Sequence, residues 1–412
     1  MTSIAPRGLK AVLDKAPNDV VILSALRTPV TRARKGGFKD AFDHELLSHV
    51  LKAVLAATPL DPTKVGDIQI GTVLSELGGS KAGRMAALHA GVPSAVPFQT
   101  VNRACSSGLA AITGIANAIT SEQIDIGIGG GMESMSKNYG TRAIPTQLWD
   151  DLRDSPAQEA RDCIMSMGIT AENVAERYGI SRAAQDAFAA QSHQKAARAQ
   201  AEGLFDGEIV PVTTRWHPDP EQPDKVEQIT ITKDDGIRPT SSSEGLAKMK
   251  PAFKDTGTCT AGNSSQVSDG AAAALLMRRS TATALGLEQH ILGRMVATQV
   301  VGCNPDEMGI GPALAIPRLL EFTRLRKDDI GVWELNEAFA SQAVYCIEKL
   351  KLDEARVNPN GGAIALGHPL GATGARQLAT LLPQLRRQNE ELGVISMCIG
   401  TGMGMASLIA RE

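Results

Sequence analysis

Short apolar runs and longer stretches of helical spacing take turns along this chain. Asp19-Val-Val-Ile-Leu-Ser-Ala25 has the length of a buried strand, and Arg27-Thr-Pro29 breaks it. Residues 44–57 repeat apolar positions at helical spacing, and Ile68-Gln-Ile-Gly-Thr-Val73 reads as a second strand. Residues 106–120 are small and apolar enough to pack as a helix, and Ile124-Asp-Ile-Gly-Ile128 follows as a strand. The final third runs the same order: a strand at 330–335, helices at 337–350 and 371–387, and a closing strand at 393–398. This alternation predicts an α/β fold with a mostly parallel sheet.

A Gly-flanked reactive residue, a helix, and a strand with trailing glycines occur at 105–131 and again at 368–404. That repetition points to a duplicated α/β unit whose reactive elements meet at the seam between halves. From about residue 137 to 265 the periodicity weakens. Residues 169–200 read as one helix with Thr170-Ala-Glu-Asn173 at its N-cap, and Trp216-His-Pro-Asp-Pro-Glu-Gln-Pro-Asp224 reads as a proline loop. This stretch has the character of an insertion covering the site.

Composition narrows the class. A length of 412 residues implies two or three domains, and no apolar run approaches a membrane span. A net charge of −3 gives no polyanion-binding surface, and three Trp, three Tyr and eight Phe are too few for a base-stacking platform. No nucleic-acid partner is expected. Six cysteines without a CxxC or a Cys/His cluster argue against structural zinc and a disulfide scaffold, and suit a reducing compartment. The first 20 residues lack a secretory apolar core, and the terminal Ala-Arg-Glu is not a peroxisomal Ser-Lys-Leu address.

The chemistry is carried by two cysteines and a histidine in glycine-rich frames. Cys105 lies in Val101-Asn-Arg-Ala-Cys-Ser-Ser-Gly-Leu109, His368 between Gly367 and Pro369, and Cys398 ahead of Gly400, Gly402 and Gly404. A lone Cys is most often a small buried hydrophobe, and a lone His a surface or satisfied core residue. At a helix start, however, the dipole and free N–H groups favour thiolate and lower a pKa that begins at about 8.5. A neutral imidazole could take the thiol proton. The second thiol, where an apolar strand ends in an open turn, suggests a separate proton-transfer task. Asn336-Glu-Ala-Phe339 follows the 330–335 strand, so Asn336 could orient a water or carbonyl there. The Gly-Thr-Gly-Met-Gly run lacks a following helix and a later acidic residue, which excludes a dinucleotide fingerprint.

These frames, with Asn336-Glu-Ala-Phe339 and Thr260-Ala-Gly-Asn-Ser-Ser-Gln-Val-Ser-Asp-Gly270, resemble the thiolases, and most the peroxisomal-type 3-ketoacyl-CoA thiolases. The resemblance covers about residues 18 to 410. It implies the five-layered α-β-α-β-α fold: an N-terminal half at 18–136 with 266–287, a loop domain at 137–265, and a C-terminal half at 288–412. It implies Cys105 as acylated nucleophile, His368 as base and Cys398 as acid/base. Asn336 would hold a water that completes one oxyanion hole with His368, and the N–H groups of Cys105 and Gly400 would form the other. Arg238, Ser265 and Phe339 match positions lining the coenzyme A site, and Met308 a position near the acyl group. Coenzyme A would be a co-substrate, with no permanently bound cofactor or metal.

The implied reaction is thiolytic cleavage of 3-ketoacyl-CoA in fatty-acid β-oxidation by a homodimer. The alternatives are a biosynthetic acetoacetyl-CoA thiolase and a non-catalytic lipid-binding protein of the same fold. Ala104 and Ala372 replace the Gln and Cys of many relatives, and Ser166 stands where biosynthetic relatives carry His. Location is the peroxisome by resemblance, or the cytosol. The segment around Arg7 does not fit the Arg-Leu-x5-His/Gln-Leu address of peroxisomal relatives.

Overall fold

The structure, a computed structural model, describes residues 7–139, 143–219, 221–222 and 224–412. Its strands are β1 (Val20–Arg27), β2 (Thr31–Arg32), β3 (Asp67–Gly71), β4 (Phe98–Val101), β5 (Ile126–Ser134), β6 (Val212–Trp216), β7 (Glu227–Ile231), β8 (Ser268–Arg278), β9 (Gly293–Gly302), β10 (Val332–Leu335), β11 (Leu392–Ile399) and β12 (Met403–Arg411). The β6–β7 hairpin stands alone, and its connection contains the predicted proline loop, of which Pro220 and Pro223 lie outside the described residues. The main sheet runs β10-β11-β12-β9-β1-β8-β5-β3-β4, with β2 on β8.

Two units of one topology build this sheet. The first is β4-β3-β5-β8-β1 and the second β10-β11-β12-β9, joined where Val20–Ile22 of β1 pairs with Gly293–Met295 of β9. Where β3 has β4 on its outer side, β10 has a one-residue parallel bridge, Trp333 to Val357. Helices follow the same plan. Asp43–Ala57, Ser80–His89 and Ser107–Thr120 of the first unit correspond in order to Gly311–Thr323, Ala340–Leu350 and Thr373–Gln388 of the second.

The expected mostly parallel sheet is corrected to a mixed one. Among the named strands of the described residues, only β4-β3-β5 and β10-β11 pair in parallel. The turn between β11 and β12 spans Gly400–Gly402, and so short a connection can join only antiparallel strands.

Burial patterns set the layers. Leu109, Ile112 and Ile115 of helix 107–120 and Leu378, Leu381 and Leu385 of helix 373–388 share one core with Ile22 and Leu276 of the first unit and Ile395 and Ile409 of the second. The two helices therefore form a central layer between the units' sheets. Helix 43–57 covers the outer face of the first through Leu46, Leu47 and Val50. Helix 311–323 covers the outer face of the second through Ile316 and Leu319, joined by Val12 of a short N-terminal helix, Leu9–Leu13. The result is α-β-α-β-α. At the seam, backbone replaces side chains: a Cβ on Gly131 would lie 1.9 Å from the Gly371 carbonyl oxygen.

The predicted single helix at 169–200 is two, Met167–Tyr178 and Arg182–Ala201. Gly179 in the left-handed conformation ends the first, and Ser181 caps the second by accepting from Ala184 N–H. Thr170, read as an N-cap, instead lies inside the first helix and bonds the Met167 carbonyl. A buried ion cluster ties this region to both units. Arg27 donates to Glu208 at 2.6 Å and to Asp234 at 2.7 Å, and Thr380 donates to Glu208 at 2.9 Å.

Candidate active site

The turn carrying Cys105 is built from local side-chain bonds. Asn102 Oδ1 accepts from Ala104 N–H at 3.0 Å, while Ser107 Oγ accepts from Arg103 N–H at 2.8 Å and donates to the Ala104 carbonyl at 2.6 Å. These bonds hold Ala104 at φ +43°, a conformation that costs a non-glycine residue about 1–3 kcal/mol. Helix 107–120 starts two residues after Cys105, as expected.

The expected lowering of the thiol pKa does not occur. Cys105 is half-buried at its surface, but the protein packed round its sulfur desolvates it and pushes its pKa up to about 11; the N–H groups of Gly400 and of Cys105 itself pull it down, and the Glu133 charge pushes it up. Desolvation outweighs the helix terminus here. Those two N–H groups are the pair expected to form an oxyanion hole.

Cys398 is fully buried one residue before the end of β11, opposite Gly404 of β12. Burial raises its pKa well above the ordinary range, and Cys105 is near enough to raise it further. Cys398, Met308, Phe339, Ala338, Ala171 and Cys259 form one cluster with Met167 packed against it. The predicted Met308 and Phe339 thus meet the second thiol. Ser265 N–H donates to the Ala338 carbonyl at 3.0 Å, and Phe253 packs edge-on to Phe339. Arg238 is exposed; its backbone N–H reaches His193 Nδ1 at 3.2 Å, and its side chain has no hydrogen bond or ion pair among the described residues.

His368 is buried, and its Nδ1 lies 2.7 Å from Thr373 Oγ1. The Thr373 hydroxyl also lies 3.0 Å from the Pro369 carbonyl. When it donates there it accepts from Nδ1–H, and Nε2 then presents a lone pair towards Asn336 Nδ2 at 3.5 Å. Burial, then Arg376, lowers the ring to about 3, which keeps it neutral at pH 7. Asn336 is held by its N–H to the Ser396 carbonyl at 2.9 Å, and its buried Oδ1 has no partner among the described residues. Thr373 and Glu133 were missed in the sequence. Only the Thr three residues before the Arg of Gly371-Ala-Thr-Gly-Ala-Arg376, at a helix start, gave any signal.

Among the described residues no group of three or more His, Cys, Asp or Glu could hold a metal ion, and no helix is long and apolar enough to cross a membrane.

Two thiols and a neutral imidazole on a duplicated α/β frame define an acyl-transferring enzyme. The pattern "Thiolase, N-terminal domain" matches residues 20–280, and "Thiolase, C-terminal domain" matches 289–411. The peroxisomal 3-ketoacyl-CoA thiolase of Yarrowia lipolytica is 52% identical over 406 residues, 98% of this chain and 96% of that protein. The human peroxisomal 3-ketoacyl-CoA thiolase is 54% identical over 391 residues, 95% of this chain and 90% of that protein. The crystal structure of the dimeric peroxisomal thiolase of Saccharomyces cerevisiae matches with a TM-score of 0.89 at 46% identity, covering 98% of this chain and 100% of that one. This chain belongs to the thiolase family.

Proposed function

We propose that the protein cleaves 3-ketoacyl-CoA with coenzyme A, giving acetyl-CoA and a shortened acyl-CoA in fatty-acid β-oxidation. The observation that carries this reading is the pair of thiols, Cys105 and Cys398, close enough for Cys105 to raise the charge cost of Cys398, at the seam where His368 is held neutral. Cys105 sulfur attacks the 3-carbonyl carbon as His368 Nε2 takes its proton. The bond between C2 and C3 breaks, and its electron pair leaves as the acetyl-CoA enolate. Cys398 protonates that carbon, a task suited to a thiol that burial keeps protonated. Coenzyme A then gives its proton to the Cys398 thiolate, attacks the acyl group, and Cys105 recovers its proton from His368.

In this reading the N–H groups of Cys105 and Gly400 hold the carbonyl oxygen on the acylated thiol. His368 and an Asn336-bound water hold the other. One such donor is worth about 3–4 kcal/mol. Arg238, Ser265 and Phe339 line the coenzyme A site and Met308 the acyl end, with 137–265 as the loop domain over them, 18–136 with 266–287 as the first half and 288–412 as the second. No permanently bound cofactor is required.

A homodimer through the β4 edge fits the first unit, because helix 80–89, which carries the exposed Met85 and is preceded by the exposed Leu77, packs on that edge strand. Sedimentation at micromolar concentration should give a dimer that Leu77→Glu with Met85→Glu dissociates. The named relatives also support a peroxisomal location. The test of function is cleavage of a 3-ketoacyl-CoA series. Turnover of longer chains with a mass-detected acyl adduct on Cys105, absent from Cys105→Ala, is expected. Turnover of acetoacetyl-CoA alone would favour the biosynthetic alternative.

A further inference from the structure

Glu133 is the last residue but one of β5 and has no exposure to solvent, and its carboxylate spans the seam. Oε2 accepts from Val73 N–H at 3.0 Å and from Gly371 N–H at 2.9 Å; Oε1 accepts from Leu74 N–H at 3.1 Å and from Thr72 Oγ1 at 3.4 Å. Gly371 lies three residues after His368, in the same loop. On the other side the Val73 carbonyl accepts from Asn102 Nδ2 at 3.4 Å, and Asn102 Oδ1 holds the Ala104 N–H next to Cys105. One carboxylate therefore lies at the junction of the two reacting loops.

Pseudo-symmetry gives this contact a second meaning. The last parallel pairs of the two units are Gly71 with Gly131 and Leu335 with Ser396, so Glu133 and Cys398 occupy equivalent places two residues on. The helices begin at Ser107 and Thr373, so Cys105 and Gly371 are also equivalent. The contact from Glu133 to Gly371 is the first unit's version of the approach of Cys398 to Cys105.

We propose that Glu133 is a positioning residue for the acyl transfer: its carboxylate holds the Cys105 turn and the His368 loop in register, and its charge acts on the Cys105 thiol. This rests on the acyl-Cys105 reading above. The groups acting on Glu133 are consistent with a charge-sensitive clasp. Burial raises its carboxyl to about 7 against the pull of the Gly371, Leu74 and Val73 N–H groups, and Asp43 from helix 43–57 adds to the rise. The same charge raises Cys105.

The experiment uses the full-length protein with Glu133→Gln and Glu133→Asp. It reads single-turnover acylation by acetyl-CoA, kcat and KM for coenzyme A, and the pH midpoint of Cys105 alkylation by iodoacetamide. Gln keeps the length but removes the charge and one acceptor. It should slow acylation about tenfold or more, leave KM unchanged and move the alkylation midpoint to lower pH. Asp keeps the charge but is one methylene short of spanning both loops. It should lose acylation rate with the midpoint in place. Wild-type rate and midpoint in Glu133→Gln overturn the proposal, as does a rate loss with no difference in midpoint between the two variants. If Glu133→Gln does not fold, Glu133→Asp at wild-type rate overturns it. Absence of a Cys105 adduct in the wild type would instead overturn the underlying reading.

Discussion

Thr373 Oγ1 lies 2.7 Å from His368 Nδ1 and 3.0 Å from the Pro369 carbonyl. With the hydroxyl hydrogen on that carbonyl, Nδ1 carries the ring proton and Nε2 is left basic, the tautomer that activation of Cys105 needs.

Thr373→Val removes that hydroxyl and leaves the buried Nδ1 without its partner, which costs about 1–3 kcal/mol. Acylation of Cys105 should slow by roughly ten- to a hundredfold, while Thr373→Ser restores most of it. Rapid-quench mass spectrometry of the acyl adduct checks both. A Thr373→Val enzyme acylating at the wild-type rate would remove the hydroxyl from the account.

The two thiols should separate cleanly. Cys398→Ala should still take an acyl group onto Cys105 from a simple acyl-CoA, because His368 alone can activate the nucleophile. It should fail to cleave 3-ketoacyl-CoA and to exchange the α-protons of acetyl-CoA in deuterated water. His368→Ala should impair acylation as well. Undiminished α-proton exchange in Cys398→Ala would contradict the two-thiol division.

His368 also leaves a mark on stability. Its folded pKa of about 3 lies below the ordinary 6.5, so the unfolded chain binds a proton that the folded one refuses. The stability from this group is complete above pH 6.5 and is lost as pH falls towards 3. Within that window its slope approaches one proton, about 1.4 kcal/mol per pH unit. His368→Gln should flatten the urea-unfolding free energy by that amount between pH 6.5 and 5, at fixed protein concentration. Burial also depresses His193, to about 4, so a residual slope of the same sign should remain. Equal slopes in the two proteins would contradict a neutral buried ring.

Arg27 is 1% exposed and answers two buried carboxylates. Arg27→Met leaves Glu208 and Asp234 without their cation and should destabilise the chain by roughly 3–5 kcal/mol. Chemical denaturation measures this. A shift under 1 kcal/mol would mean that the cluster contributes little net stability.

Much of this was legible in the chain. The Val-Val-Ile-Leu run of β1 and the amphipathic spacing of 44–57 are unambiguous signals, and the glycine frames located Cys105, His368 and Cys398. The alanines of β8 were not readable as a strand, because Ala favours helix and a strand buried on both faces has no alternation to detect. The break at Gly179 was hidden by helical spacing on both sides of it. The thiol pKa depended on desolvation opposing the backbone N–H groups, and local sequence shows only the helix start. Glu133 could not be found because its donors come from residues 60 and 238 positions away.

The raised pKa of Cys105 bears on survival between turnovers. With its pKa pushed up to about 11, the thiol stays protonated at pH 7. Peroxides attack the thiolate, not the thiol. The resting nucleophile, half-buried, is thus protected from oxidation by keeping its proton, and is most vulnerable while His368 draws that proton away.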